Sequence, residues 1–200
     1  MFDSSYRQTP PWDIGEPQPA LMALLDEYPP TGPVLDVGCG TGKLALALAQ
    51  RSLTVLGVDL AEAAIAQARA KAAMAAPDVS QLVEFRVGDA LHPTLFPGPF
   101  GAVVDSGFFH LFGSVEREHF ARELAATLVT GGRYYLLGFA IASPIPNAPR
   151  QVLESELRTL FAPERGWRVI ALRPARFLIR STRGSEVPAI AACVERAPVE

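Results

Sequence analysis

The segment LDVGCGTGKLALALAQ, Leu35–Gln50, packs three glycines into five positions between an apolar run and an alanine–leucine stretch. An apolar run that stops at glycine predicts a buried strand of a parallel sheet, and the stretch after it predicts a helix. Bare backbone at such a strand end suits a phosphate, a nucleoside or only a tight turn. Spacing narrows the choice. A phosphate loop needs Ser or Thr after its lysine, but Lys43 is followed by Leu44. A dinucleotide fingerprint would put its third glycine where Lys43 stands. What remains is Asp36-x-Gly38-x-Gly40-x-Gly42, with Asp59 ending the next apolar run 21 residues beyond Gly38.

The rest of the chain continues the alternation. PVLDVG and LTVLGVDL read as the first two strands, and LVEFRVGDA, FGAVVDSG and GGRYYLLGFA as the next three. Helices are predicted over Ala20–Tyr28, over the residues after Gly42, over Ala61–Ala76, from a cap at Ser114, and over Gln151–Phe161. WRVIALRPARFLIRS and EVPAIAACVER form an antiparallel hairpin around Arg183 and Gly184. The expected fold is a three-layer αβα sandwich on a seven-stranded, mostly parallel sheet ending in that hairpin. One domain should span residues 1–200, comprising an arm and helix over 1–30, a core over 31–140, and a covering loop, helix and hairpin over 141–200.

Composition excludes several classes. A net charge of −3 offers no broad attraction for nucleic acid or anionic lipid. Cys39 and Cys193 make no ligand pair, and His92, His110 and His119 are too scattered for a metal motif, so no metal is expected. The polar N-terminus is not expected to act as a signal peptide, and no apolar run approaches the roughly 20 residues that span a bilayer. A cytoplasmic monomer or homodimer is expected.

The glycine pattern with Asp59 closely resembles motif I of the class I S-adenosylmethionine-dependent methyltransferases, a Rossmann-like family. Similarity extends over about residues 33–140, through Gly88-Asp89-Ala90 after strand three, Asp105 at the end of strand four, and Gly131-Gly132. The resemblance implies S-adenosylmethionine as cofactor, with S-adenosylhomocysteine as product. It places the cofactor against Asp36, Gly38, Cys39, Gly40 and Gly42, then Asp59 and Leu60 on the ribose side, Gly88, Asp89 and Ala90 toward adenine, and Asp105 near the methyl group. Each residue also has a plainer reading. The glycines suit a turn, Asp59 a helix cap, and Gly131-Gly132 a helix stop.

QTPPWDIGEPQPAL, Gln8–Leu21, resembles the N-terminal arm of the thiopurine and halide/thiol methyltransferases. That similarity implies a lid whose tryptophan, here Trp12, lies against the cofactor, with Gln18 near the same end. The alternative is a hydrophobic plug. Where the thiopurine enzymes carry arginine after the strand-four aspartate, this chain has Ser106. DSGFFHLF is instead similar to small bacterial relatives acting on aromatic or heterocyclic compounds.

The acceptor pocket expected from this would be walled by Phe108, Phe109, His110 and Phe112, and closed by Phe2 and Tyr6 from the arm and by ASPIPNAPR. Core packing is the competing reading for Phe109 and Phe112. His110 is the best-placed general base, since an unperturbed histidine titrates near pH 6.5, and Tyr6 is a candidate orienting group. His92 and His119 read as loop and helix-surface residues. The expected activity is in-line methyl transfer to a small aromatic or heterocyclic O-, N- or S-nucleophile. Thiol or halide methylation is one alternative, and a noncatalytic cofactor-binding module another. The arginines Arg173, Arg176, Arg180 and Arg183 sit among glutamates and form no RNA site.

Overall fold

The structure is a computed structural model that describes residues 9–142, 148–180 and 185–198. Seven strands form one sheet: β1 (Val34–Val37), β2 (Val55–Asp59), β3 (Val83–Val87), β4 (Phe100–Ser106), β5 (Leu128–Phe139), β6 (Trp167–Ile179) and β7 (Ser185–Arg196). Their order is β3-β2-β1-β4-β5-β7-β6. The first five pair in parallel, and β7 enters antiparallel between β5 and β6. The helices are α1 (Pro19–Glu27), α2 (Lys43–Ala49), α3 (Glu62–Ala73), α4 (Pro77–Ser80), α5 (Ser114–Thr127) and α6 (Glu154–Leu160). No helix among the described residues is long and apolar enough to cross a membrane.

Two apolar clusters sandwich the sheet. Leu35, Val37, Val103, Phe120, Tyr134 and Trp167 lie in one, and Val34, Leu48, Ile65, Val104, Tyr135 and Cys193 in the other. Alternate residues of β1 and of β4 thus feed opposite cores, which makes these central strands apolar on both faces, as the sequence pattern requires. The chain order reverses between β1 and β4, the adjacent pair from which successive strands step away to either side. In open α/β sheets the crevice at the carboxyl ends of such a pair is where ligands bind.

Several boundaries differ from expectation for local reasons. The helix expected over Ala61–Ala76 stops at Ala73, and Pro77 opens a separate turn, since the residue before a proline is pushed out of the helical region. The helix expected from Gln151 begins at Glu154, because the Val152 N–H donates to Phe139 O (2.7 Å) and the Gln151 side chain to Ala140 O (2.8 Å). Helix α5 starts at Ser114, but its cap position is Gly113 and the Ser114 side chain does not cap it. Gly131 and Gly132 are no helix stop. They lie inside β5, where Gly131 has φ of 78° and the pairing with β4 shifts register, a bulge that admits glycine readily.

Candidate active site

The turn after β1 is built from left-handed backbone. Gly38, Gly40 and Gly42 have φ of 64°, 52° and 78°, a region that L side chains avoid. Space adds a second reason. A Cβ on Gly38 would lie 2.8 Å from the Phe108 ring, and one on Gly42 2.5 Å from the Phe85 ring. The turn is therefore pressed between β3 on one side and the segment after β4 on the other. Asp59 ties it down: its carboxylate accepts the Gly40 N–H at 2.9 Å and the Ala61 N–H at 2.8 Å. Asp59 is not the cap of α3, because it stands two residues before the N-cap, Ala61.

Asp36 is the most telling residue of the turn. It is 1% exposed, and its Oδ2 has no hydrogen-bond partner among the described residues. Burial, followed by the nearby charges of Asp105 and Asp59, pushes its carboxyl well above the usual carboxylate range. Three aspartates thus converge at the carboxyl ends of β1, β2 and β4. A buried acceptor left without a donor is costly, and a cationic ligand reaching this mouth would relieve it. The donor set therefore fits a group carrying a sulfonium and an ammonium.

The remaining expected cofactor residues flank this cradle. Leu60 is 55% exposed beside Asp59, leaving an apolar side chain open at the rim. The Gly88 N–H donates to Asp59 O (3.0 Å), and Asp89, exposed, accepts the Leu91 N–H at 3.0 Å. Ala90 is buried. Cys39 donates its N–H to Val58 O (3.0 Å), and burial holds its thiol well above the ordinary value. It contributes backbone rather than a thiolate.

Asp105 stands at the end of β4 as expected, with its carboxylate turned to the protein's own backbone. Both oxygens are engaged: Oδ1 by the Phe108 N–H (2.7 Å), and Oδ2 by the Phe109 N–H (2.9 Å) and the Tyr134 hydroxyl (2.7 Å). Its carboxylate shapes the aromatic turn that follows β4. Complete burial raises its pKa to about 7 against these hydrogen bonds.

That turn separates its aromatic residues. Phe108 packs edge-on to Phe112 and Phe120, with ring centroids 4.7 and 5.5 Å away. Phe112 is half-buried. Phe109 has no exposed surface, and the Arg117 guanidinium lies 4.7 Å from its ring centroid, so it belongs to the core and not to a pocket wall. His110 is 4% exposed, between Phe139 and Phe177. Its Nδ1 accepts the Phe139 N–H at 3.2 Å, and burial with the Arg117 charge lowers its pKa to about 3. The proton of the neutral ring then resides on Nε2. This corrects the expectation of a base, because neither ring nitrogen keeps a lone pair free for an acceptor proton.

Residues that sequence reasoning missed hold these parts together. Asp13, beside Trp12, accepts the Thr41 hydroxyl at 3.0 Å and pairs with Lys43, clasping the arm to the glycine turn. Buried Arg117 donates to Phe109 O, Arg150 O and Gln151 O and pairs with Glu156 at 2.6 Å, joining the aromatic turn to the covering segment. These partners lie 28 to 39 residues apart or in unrelated local patterns, except Phe109 at eight. Asp13 alone had a signal, its place in the Pro-Pro-Trp-Asp segment. Gln18 anchors the arm instead of approaching a cofactor, since its amide exchanges two hydrogen bonds with the Leu178 backbone at 2.9 and 2.8 Å. Trp12 keeps 41% of its surface exposed, more than a plug would. Phe2 and Tyr6, like residues 143–147 of the proline-rich loop, lie outside the described residues.

A family model described as a methyltransferase domain matches residues 34–132, the interval holding the glycine turn and the three aspartates. A 2-heptyl-1-hydroxyquinolin-4(1H)-one methyltransferase of Mycobacteroides abscessus is 36% identical over 186 residues, covering 88% of this chain and 80% of its own. The chain belongs to the class I S-adenosylmethionine-dependent methyltransferases. A probable thiol methyltransferase 2 of Arabidopsis thaliana is 26% identical to this methyltransferase, covering 88% of the chain and 76% of its own. Among solved structures, one from work on the conversion of a disulfide bond into a thioacetal group during echinomycin biosynthesis superposes with a TM-score of 0.81. It has 32% identity and covers 98% of this chain and 91% of the other. The methyltransferase is therefore an enzyme using S-adenosylmethionine, which sets aside the noncatalytic module.

Proposed function

We propose that this methyltransferase transfers a methyl group to a small aromatic or heterocyclic nucleophile that arrives already ionised, such as an acidic N-hydroxyl or a thiolate. S-adenosylmethionine, when bound, supplies the electrophilic methyl and the leaving group, so the protein's task is to hold and desolvate the acceptor. Asp36, Asp59 and the glycine turn would hold the cofactor's cationic end and ribose, with Leu60, Gly88, Asp89 and Ala90 beside its adenine. Trp12 would cover it from the arm, offering an indole face to a sulfonium, an attraction of about 0.5–2 kcal/mol.

One observation carries the acceptor reading: the aromatic turn abuts the glycine turn, with the Cβ position of Gly38 2.8 Å from the Phe108 ring. An apolar wall thus stands directly beside the cofactor cradle. Phe108, Phe112 and His110 are proposed to line the acceptor site, with Phe2 and Tyr6 closing it. His110, neutral and protonated on Nε2, would donate a hydrogen bond to an anionic acceptor, with no proton to remove. The similarity to the hydroxyquinolone enzyme supports this choice. The same neutral histidine suits a thiolate, so thiol methylation stands as the second reading, favoured by the plant relative. Nucleic acid is a poor acceptor here, because Arg173 pairs with Glu27 and Arg176 with Glu186. The deciding experiment is a methyl-transfer screen over hydroxyquinolines, phenols, azoles and thiols, read by mass spectrometry. Product from acidic hydroxyls or thiols supports the reading, and transfer confined to weakly acidic phenols overturns it.

A further inference from the structure

The chain has three histidines, and folding brings two of them together on elements outside the aromatic turn. His92 Nδ1 and His119 Nε2 lie 3.0 Å apart, although the residues are 27 positions apart in sequence. His92 belongs to the connection between β3 and β4, while His119 lies in α5. Glu123 follows His119 by four positions on α5, one helical turn on, and therefore shares its face. Ligand atoms of all three residues lie within 4.8 Å of one another, and all three are half-buried, so the site is open to solvent.

We propose that His92, His119 and Glu123 form a binding site for a divalent cation of the Zn²⁺ class. Two imidazole nitrogens and a carboxylate are a donor set that Zn²⁺ takes, at roughly 2.0–2.2 Å per bond, with water completing four-coordination. Tetrahedral bonds of that length put neighbouring donor atoms about 3.3 Å apart, close to the observed nitrogen separation. The carboxylate is already oriented: Glu123 Oε2 accepts both the backbone N–H and the hydroxyl of Thr94. Such outer partners hold a ligand in place before the metal arrives. A shared proton and the edge-on packing of the two rings, centroids 4.8 Å apart, also account for the paired nitrogens, but neither needs a third ligand. The connection is also coupled to the cofactor side of the sheet, because the His92 N–H donates to Asp89 O at 3.2 Å. A bound cation would brace this loop against α5.

The test uses untagged, chelator-treated and desalted full-length protein. Zn²⁺ is titrated by calorimetry, and Co²⁺ serves as a spectroscopic probe. One equivalent should bind, and affinity should fall at least tenfold in His92→Asn and in His119→Asn, with a smaller loss in Glu123→Gln. The Co²⁺ form should show visible bands of a low-coordinate nitrogen–oxygen site and no thiolate charge-transfer band. Zn²⁺ should also raise the melting temperature of the wild type and not that of the double histidine variant. Absence of saturable binding, equal affinity in wild type and double variant, or a thiolate band pointing to Cys39 or Cys193 would each overturn the site. Should a variant fail to fold, the wild-type Co²⁺ spectrum still decides.

Discussion

The Tyr134 hydroxyl donates a 2.7 Å hydrogen bond to Oδ2 of Asp105, linking β5 to the end of β4 inside the core. The same carboxylate receives the backbone of Phe108 and Phe109, so one buried acid sets the path of the whole aromatic turn. Its pKa of about 7 follows from burial opposing those bonds.

This shift has a signed consequence for stability. A carboxyl raised from the ordinary value near 3.9 binds its proton more tightly in the folded state than in the unfolded one. Its contribution is fully present below about pH 4 and is lost as pH rises through about 7. In Asp105→Asn that decline should vanish from the pH dependence, while the neutral variant carries a constant penalty for its altered hydrogen bonds. Chemical denaturation from pH 4 to 8 measures both. Parallel pH curves for the two proteins would refute the raised pKa.

Asp59 serves the fold and, as proposed, the ribose. Asp59→Ala should weaken S-adenosylmethionine binding by about 1–3 kcal/mol, the usual loss for a buried hydrogen bond involving a charged group. Titration calorimetry reads this directly. Wild-type affinity in the variant would remove the ribose role.

The clasp between Asp13 and the pair Thr41 and Lys43 holds the arm on the glycine turn. Asp13→Ala should speed proteolytic cleavage of the arm and weaken cofactor binding by about 1 kcal/mol, the upper range for a partly exposed ion pair. Trp12→Ala should weaken binding while Asp13 still keeps the arm docked. If cleavage of Asp13→Ala matched the wild type, the clasp would have no role in docking.

His110 should stay neutral throughout the working range. With its pKa lowered to about 3, the rate on a permanently ionised acceptor should show no inflection between pH 5 and 8. His110→Phe keeps a planar ring but loses the Nε2 donor, and kcat should drop about tenfold, a loss comparable to one hydrogen bond to a charged acceptor. A rate limb near pH 6.5 that disappears in the variant would restore the base.

Arg117 is 3% exposed and neutralises Glu156 while bonding three backbone carbonyls. Arg117→Met should destabilise the fold by on the order of 3 kcal/mol, since it strands a partly buried carboxylate. Denaturant unfolding checks this, and a loss below the error of extrapolation would show that the hub contributes little.

What the residues determined by themselves is local and periodic. Apolar runs ending in glycine, alanine-rich helices between them and the terminal hairpin specify the alternating sheet, because side-chain period and backbone freedom act within a few residues. The glycine turn and Asp59 were legible for the same reason, as a fixed spacing within one strand–turn–helix unit. Tertiary structure decided everything that depends on which distant groups meet in a dry interior. It kept His110 neutral by burying it against Phe139 beside Arg117, and it tied Asp105 to the aromatic turn. It also tied Asp13 to Lys43, and brought His92 to His119. Protonation state and partner choice follow from burial and approach in space, which no one-dimensional pattern records.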